Sequence, residues 1–262
     1  MANAYNPFTS PPHSVTVQGA YEPFDLQVSR GQIMGHQTLS LFGYQAAVGN
    51  TSIPVWENAT AYTYPTSAST MTVVSTSTSD DTSAKILISG LDANFATISE
   101  TIALNGTTGV TTVNSYFRIN SLLMTSPGTS QTTNVGTITV KQSSNILAQI
   151  NAGIGKSQST VYTVPAGYTF YLDFAEVNTS NSYTSANIVT YKVQAINNNT
   201  GIKLTVLQQP FVSIYTANRT SDPFAYTEKT DIQWQLVTST ATTVAAGVII
   251  AGKLIKNDCQ SA

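Results

Sequence analysis

The sequence predicts an all-β chain: two antiparallel β-sandwich or jelly-roll-like domains behind an extended N-terminal arm. Three observations predict it. Apolar residues recur with a period of two rather than 3.6. Thr, Val, Ile and Tyr, whose branched or aromatic side chains suit a pleated surface, are abundant. Turn-forming residues punctuate short apolar runs throughout.

The elements can be justified in chain order. Residues 1–13 carry Pro7, Pro11 and Pro12 among small polar residues. Proline disfavours both helix and ladder pairing, so residues 1–30 read as an extended arm. A first β domain is expected over 31–124, with strand-like runs at Met71–Val74, Lys85–Ile88, Thr97–Leu104 and Tyr116–Asn120 and a turn at Asn105-Gly106. The stretch Thr125–Asn134 has only turn and polar types and reads as a linker. A second β domain follows over 135–256. Within it Ser143–Ala152 is the best helical candidate, because Ile146, Leu147 and Ile150 fit a spacing of three to four, although a strand fits as well. Clear alternation then appears in Phe170/Leu172/Phe174, Val189/Tyr191/Val193, Ile202/Leu204/Val206 and Ile232/Trp234/Leu236, and Val248, Ile250 and Leu254 share a face with Gly252. Pro165-Ala-Gly167 and Asn197–Gly201 are the turns between runs, and 257–262 is a short tail.

Composition narrows the function. Only 9% of the 262 residues are charged, against about 25% in an average soluble domain, while 40 Thr and 28 Ser make up a quarter of the chain. A hydrophobic content of 41% is enough for a core. Eleven basic residues against thirteen acidic ones leave no basic stripe for nucleic acid. No apolar run approaches the ~20 residues of a membrane helix. The first residues have neither a basic nor an apolar region, so no secretory signal is expected. Cys259 is the only cysteine and His13 and His36 the only histidines, so a disulfide framework or a Cys- or His-rich metal site is not expected.

Few residues are candidates for chemistry. Asp80-Asp81 could attract a hard cation but reads as a solvated loop. Glu100 falls on the same face as Ile98, Ile102 and Leu104, so its carboxylate must be paired or at a rim. Arg118, one of three arginines, lies in the next run, and a cross-strand Glu100–Arg118 ion pair is expected. His36 has no Ser or Asp partner at a recognisable spacing and reads as a loop or interface residue. Tyr62, Tyr64, Tyr215 and Tyr226 are candidates for a contact surface, whereas Trp234 reads as core. No catalytic, cofactor or metal residue is therefore assigned.

Several segments resemble virion structural proteins of tailed bacteriophages, of the aquatic or cyanobacterial type. They are Arg30–His36, Phe42-Gly-Tyr44, Val48–Thr51, Pro54–Glu57, Tyr64–Ser77, Ile88–Phe95, Ser99–Thr101, Leu104–Thr107, Phe117–Asn120 and Val161–Tyr168. The resemblance covers most of residues 30–175 and fades beyond. It implies a non-enzymatic structural protein on the phage particle, made in the host cytoplasm. The role it most suggests is a capsid decoration (cement) protein that binds the major capsid protein and itself, as a homotrimer, without nucleic acid or membrane. A head or tail fibre, or a neck-tail module binding a host receptor or glycan, is the alternative. The arm is the segment expected to reach a neighbour.

Overall fold

Period-two alternation fixes which face of a strand is buried, and the computed structural model follows it across residues 22–180, 188–240 and 243–260, the residues it describes. The strands are β1 (His36–Val48), β2 (Ile53–Pro54), β3 (Thr72–Ser75), β4 (Lys85–Leu91), β5 (Thr97–Ala103), β6 (Val110–Thr111), β7 (Arg118–Ser126), β8 (Ile138–Gln142), β9 (Asn145–Ile150), β10 (Tyr162–Thr163), β11 (Tyr168–Thr179), β12 (Val189–Asn197), β13 (Lys203–Phe211), β14 (Ile214–Asn218), β15 (Phe224–Tyr226), β16 (Thr230–Thr238) and β17 (Val244–Lys256). Among the described residues one short helix, α1 (Phe24–Ser29), precedes them, and a 3₁₀ turn (Asn257–Gln260) follows. The chain is thus all-β, as expected.

The strands fall into four antiparallel sheets. The first has the order β1-β17-β11-β14, with β15 also on β11; the second is β10-β16-β12-β13, with β2 also on β16. The third is β6-β3-β8-β9 and the fourth β5-β4-β7. By sheet count this is a four-bladed, propeller-like layout rather than the two sandwich or jelly-roll domains the alternation predicts. By side-chain packing the blades work in pairs. One buried cluster gathers Phe170, Val177, Val248 and Ile250 from the first sheet with Tyr191, Val193, Ile232 and Trp234 from the second. The other gathers Met71, Val73, Ile138 and Ile150 from the third with Ile86, Ile88, Ile102 and Leu122 from the fourth. Alternation cannot foresee this grouping, because it specifies a strand's buried face and not its partner.

The pairing also cuts across the expected boundary at 125–134. β1 pairs with β17 from His36↔Ile255 to Val48↔Val244, so it belongs to the sheet of the chain's last strand. β8 and β9, beyond the expected linker, place Ile138, Val140, Leu147, Ala148 and Ile150 in one cluster with β3, β4 and β7. Ser143–Ala152 is the β8–β9 hairpin and the strand β9, not a helix. Its apolar residues close a sheet, and this tertiary demand outweighs the weak three-to-four spacing.

The arm expected over 1–30 is replaced in part by α1; residues 1–21 lie outside the described residues, as does His13. Pro23, with φ −55°, leads into the helix, where a missing N–H costs nothing. Gly31, at φ +70°, ends it in the left-handed conformation. Val28 buries its side chain, and Asp25 reaches Lys253 of β17 at 3.0 Å.

Two alternation predictions shift face. A bulge between Leu172 and Phe174 inserts Asp173 into β11, so Ala175 and Val177 take the core side and Phe174 is only half-buried. Ile202 and Leu204 are 54% and 57% exposed, because β13 is the last strand of its sheet.

Gly90 permits a close approach inside the fourth sheet. A Cβ there would lie 2.2 Å from the Arg118 carbonyl oxygen and 2.9 Å from Tyr116 Cδ1. Gly90→Ala is therefore expected to destabilise the fold by about 1–3 kcal/mol in denaturant unfolding. Gly49→Ala, whose new carbon meets nothing closer than 3.9 Å, should be near neutral. Equal unfolding midpoints for the two variants would refute the close approach.

Candidate functional site

The densest polar chemistry lies where the two sheet pairs meet. Arg118, the first residue of β7, is 3% exposed and Asp231 of β16 is 2% exposed. Arg118 Nε donates to Asp231 Oδ1 and Nη2 to Oδ2, each at 2.8 Å, a two-pronged buried ion pair. The remaining guanidinium hydrogens are also used. Nη1 donates to the Pro65 and Phe117 carbonyls at 3.2 and 2.9 Å, and Nη2 reaches Asn198 Oδ1 at 3.4 Å. Asp231 in turn accepts from Thr163 Oγ1 at 2.6 Å and Asn198 Nδ2 at 2.9 Å. The guanidinium carbon lies over three rings: Phe117 at 4.0 Å, Tyr64 at 4.8 Å and Phe95 at 5.5 Å.

Beside this pair is a half-open cleft of about 210 Å³. Its floor is the outward face of the second sheet: Gln194 and Ile196 of β12, and Asp231, Gln233 and Gln235 of β16. Ser52, Pro54, Ala61, Tyr62 and Tyr64 form one wall and Lys203 of β13 the other. The amides are ordered among themselves. Gln235 Nε2 donates to Gln194 Oε1 at 3.1 Å and Gln233 Oε1 at 2.8 Å, and Ser52 Oγ donates to Gln235 Oε1 at 3.0 Å. Tyr62 and Tyr64 meet edge to face at 5.0 Å, and Tyr62 is held against Trp56 at 5.1 Å. The buried Tyr64 hydroxyl lies by the Gln233 amide without closing a hydrogen bond to it. Burial pushes both tyrosine hydroxyls up in pKa, so they stay protonated.

A third polar group sits on the segment leading to that wall. Burial pushes the Glu57 carboxyl up from 4.5 to about 7, against the backbone N–H groups of Asn151 and Gln158 that hold it down. Its Oε1 accepts from Asn151 N–H at 3.2 Å, while the buried Oε2 has no partner.

The sequence candidates are placed as follows. The Glu100–Arg118 pair does not form. β5 and β7 flank β4 on opposite sides, and Ile88 faces Glu100 on one edge and Leu122 on the other. Glu100 instead caps a loop at the rim, accepting from the Val113 and Asn114 N–H groups at 2.9 and 3.3 Å. Asp80 is not solvated but fully buried. It accepts from the Ser75 hydroxyl and from the Val135 and Gly136 N–H groups at 2.8 and 2.9 Å, which ties the 125–134 segment to the third sheet. Asp81 is the solvated member of the pair, and the Thr129 hydroxyl beside it holds its carboxyl below the usual range. His36 opens β1, with Nδ1 3.0 Å from the Met34 carbonyl and its ring edge-on to Phe24. Tyr226 and Trp234 are buried core residues, and Tyr215 is half-buried against the same cluster.

Only Tyr62 and Tyr64 of the sequence candidates line the cleft. Asp231, Gln233 and Gln235 alternate with Ile232, Trp234 and Leu236 and were legible as the polar side of a strand. No local signal announces that residues 52–64 cover that face. Among the described residues no three His, Cys, Asp or Glu side chains converge to hold a metal ion. No family model matches the sequence, and no match is found among curated proteins or solved structures.

Removing one member of the buried pair strands the other charge. Arg118→Leu or Asp231→Leu is expected to cost about 3–5 kcal/mol in denaturant unfolding, and the double variant to recover part of that loss. Additive losses would show that the two residues act independently. Glu57 sets a pH dependence of opposite sign to that of an ordinary paired carboxylate. Its neutral form is favoured in the fold, so its contribution is complete below pH 4.5 and is lost as pH rises through about 7. The melting temperature should fall between pH 5 and pH 8, and Glu57→Gln should flatten that slope; an unaltered slope would assign it to other groups.

Proposed function

We propose that the chain is a non-enzymatic structural protein that works by burying surface against other protein subunits. Its specific assignment is a decoration protein of a tailed-phage head, assembled as a homotrimer on the major capsid protein. The observation that carries this reading is the outward face of the first sheet. Phe42 and Tyr44 of β1 are 43% and 37% exposed there, and Ile249 of β17, directly across from Phe42, is 38% exposed. Gly247, opposite Tyr44, leaves room for the Phe42 ring, whose Cε2 lies 3.8 Å from where a Cβ would stand. Ala251 and the half-buried Phe174 continue the patch. Adjoining apolar side chains of this kind on a sheet face favour protein contact.

The rest of the surface supports the same use. Hydroxyl side chains are less costly to strip of water than charges when a neighbour covers them. The two sheet pairs each bury a core of their own and leave neutral outer faces for such contacts. The phage and capsid assignment rests on the sequence resemblance over residues 30–175. The aromatic and amide cleft favours a second reading, a fibre or tail module that binds a glycan.

Phe42→Ser combined with Ile249→Ser is expected to leave the fold intact and to lower the sedimenting mass from a trimer toward a single chain. A wild-type monomer, or a variant that keeps the wild-type mass, would overturn the self-association. On particles carrying this protein, immunogold should label heads; label confined to tail fibres would replace the first reading by the second.

A further inference from the structure

We infer that the cleft between Tyr62/Tyr64 and the amide face of β12 and β16 is a binding site for a carboxylate-bearing sugar residue. Lys203 would take the carboxylate, and the Gln194 and Gln233 amides the ring hydroxyls. This goes beyond the structural role proposed above and does not rest on it.

The chemistry of the lining selects the ligand class. Gln235 directs its Nε2 group at Gln194 Oε1 and Gln233 Oε1, which engages one lone pair of each oxygen. Among the described residues the Gln194 Nε2 group makes no hydrogen bond, and the Gln233 amide has the buried Tyr64 hydroxyl beside it without a closed hydrogen bond, so the floor presents N–H donors. Asp231 lends no free negative charge, because Arg118 neutralises it. Lys203 is exposed at the edge strand and makes no ion pair among the described residues, which leaves one positive charge at the wall. A donor-rich, singly positive site selects a ligand rich in acceptors with one negative charge.

The apolar lining adds a second demand. Tyr62 and Tyr64 present aromatic surface, and Ala61, Pro54 and Ile196 present aliphatic surface. The ligand must therefore carry C–H faces as well as oxygens. A pyranose ring with hydroxyls around its rim and one carboxylate meets both demands, whereas inorganic phosphate meets only the first. At about 210 Å³ the cleft is below the ~300–1,000 Å³ of sites for drug-sized ligands, which suits a single ring. The site is also preorganised: Trp56 fixes Tyr62, and the Ser52–Gln235 hydrogen bond ties the wall to the floor.

The test titrates the full chain with sodium glucuronate, with glucose and with an oligosaccharide ending in glucuronate, read by calorimetry and by side-chain amide NMR. Glucuronate is expected to bind with a dissociation constant on the order of 1 mM and to shift the Gln194 and Gln233 amide resonances. Lys203→Ala, an exposed position that leaves the fold intact, should weaken glucuronate at least about tenfold, the scale of one charge-assisted hydrogen bond, and leave glucose unchanged. Gln194→Leu should weaken both sugars. Tighter binding of the oligosaccharide assigns the site to a glycan chain, and equal binding assigns it to the free sugar. Absence of any amide shift at saturating sugar would overturn the site. Equal affinity for glucose and glucuronate, or an indifferent Lys203→Ala, would overturn the carboxylate assignment.

Discussion

The Arg118–Asp231 pair is the constraint around which the two halves of the molecule are built. Taking two charges out of water costs several kcal/mol per ion, and a buried pair offsets this only when its remaining hydrogen-bonding capacity is met. Here it is met in full. The five guanidinium hydrogens find five acceptors, on Asp231, Pro65, Phe117 and Asn198. Both carboxylate oxygens accept two donors each. These partners come from β7, β10, β16, the 197–201 turn and the segment that crosses between the sheet pairs. Each partner is held by the others, so a half-made network would be worse than none. The pair thus specifies a single relative placement of the fourth sheet and the second.

Scarcity of charge makes such placements decisive. Several of the few ionic groups are fixed by internal contacts. Asp80 closes the loop ahead of β8 on backbone N–H groups. Lys253 joins Asp173, the bulge residue of β11, to Asp25 of α1. Glu228 accepts from the Gly167 N–H in the turn before β11. Charges used in this way organise loops and leave the sheet faces to neutral side chains. The low charge content, which at first suggests a lack of chemistry, reflects a division between internal fastening and neutral outer faces.

Strand faces were legible because period two is a local property. Val189/Tyr191/Val193 and Ile232/Trp234/Leu236 bury the side that alternation assigns them. Failures occur where a non-local fact intervenes. Phe174 lost its expected face to one inserted residue, and Ile202 and Leu204 lost theirs to an edge that no residue in the strand reveals. Glu100 was the nearest acid for Arg118 along the chain, yet the acid that pairs with it is 113 residues away. The face of Glu100 was read correctly; its neighbours across β4 were not. The same limit applies to the cleft. Its floor could be read as one polar side of β16, but that it faces a tyrosine wall depends on β2 pairing with that strand.

The packing of the first two sheets gives the two proposed surfaces a geometric relation. These sheets bury one shared cluster, so each keeps a separate outer face. One outer face carries Phe42, Tyr44 and Ile249; the other carries the Gln194, Gln233 and Gln235 amides beside the tyrosines. A subunit seated through the apolar face would leave the residues of the amide face outside that contact. Apolar side chains favour lasting contact, because nothing is lost by covering them. An amide ladder with uncommitted N–H groups favours a small, exchangeable polar ligand, because lasting burial would leave those donors unpaired. The same alternation that built the core therefore separates a face suited to assembly from a face suited to recognition.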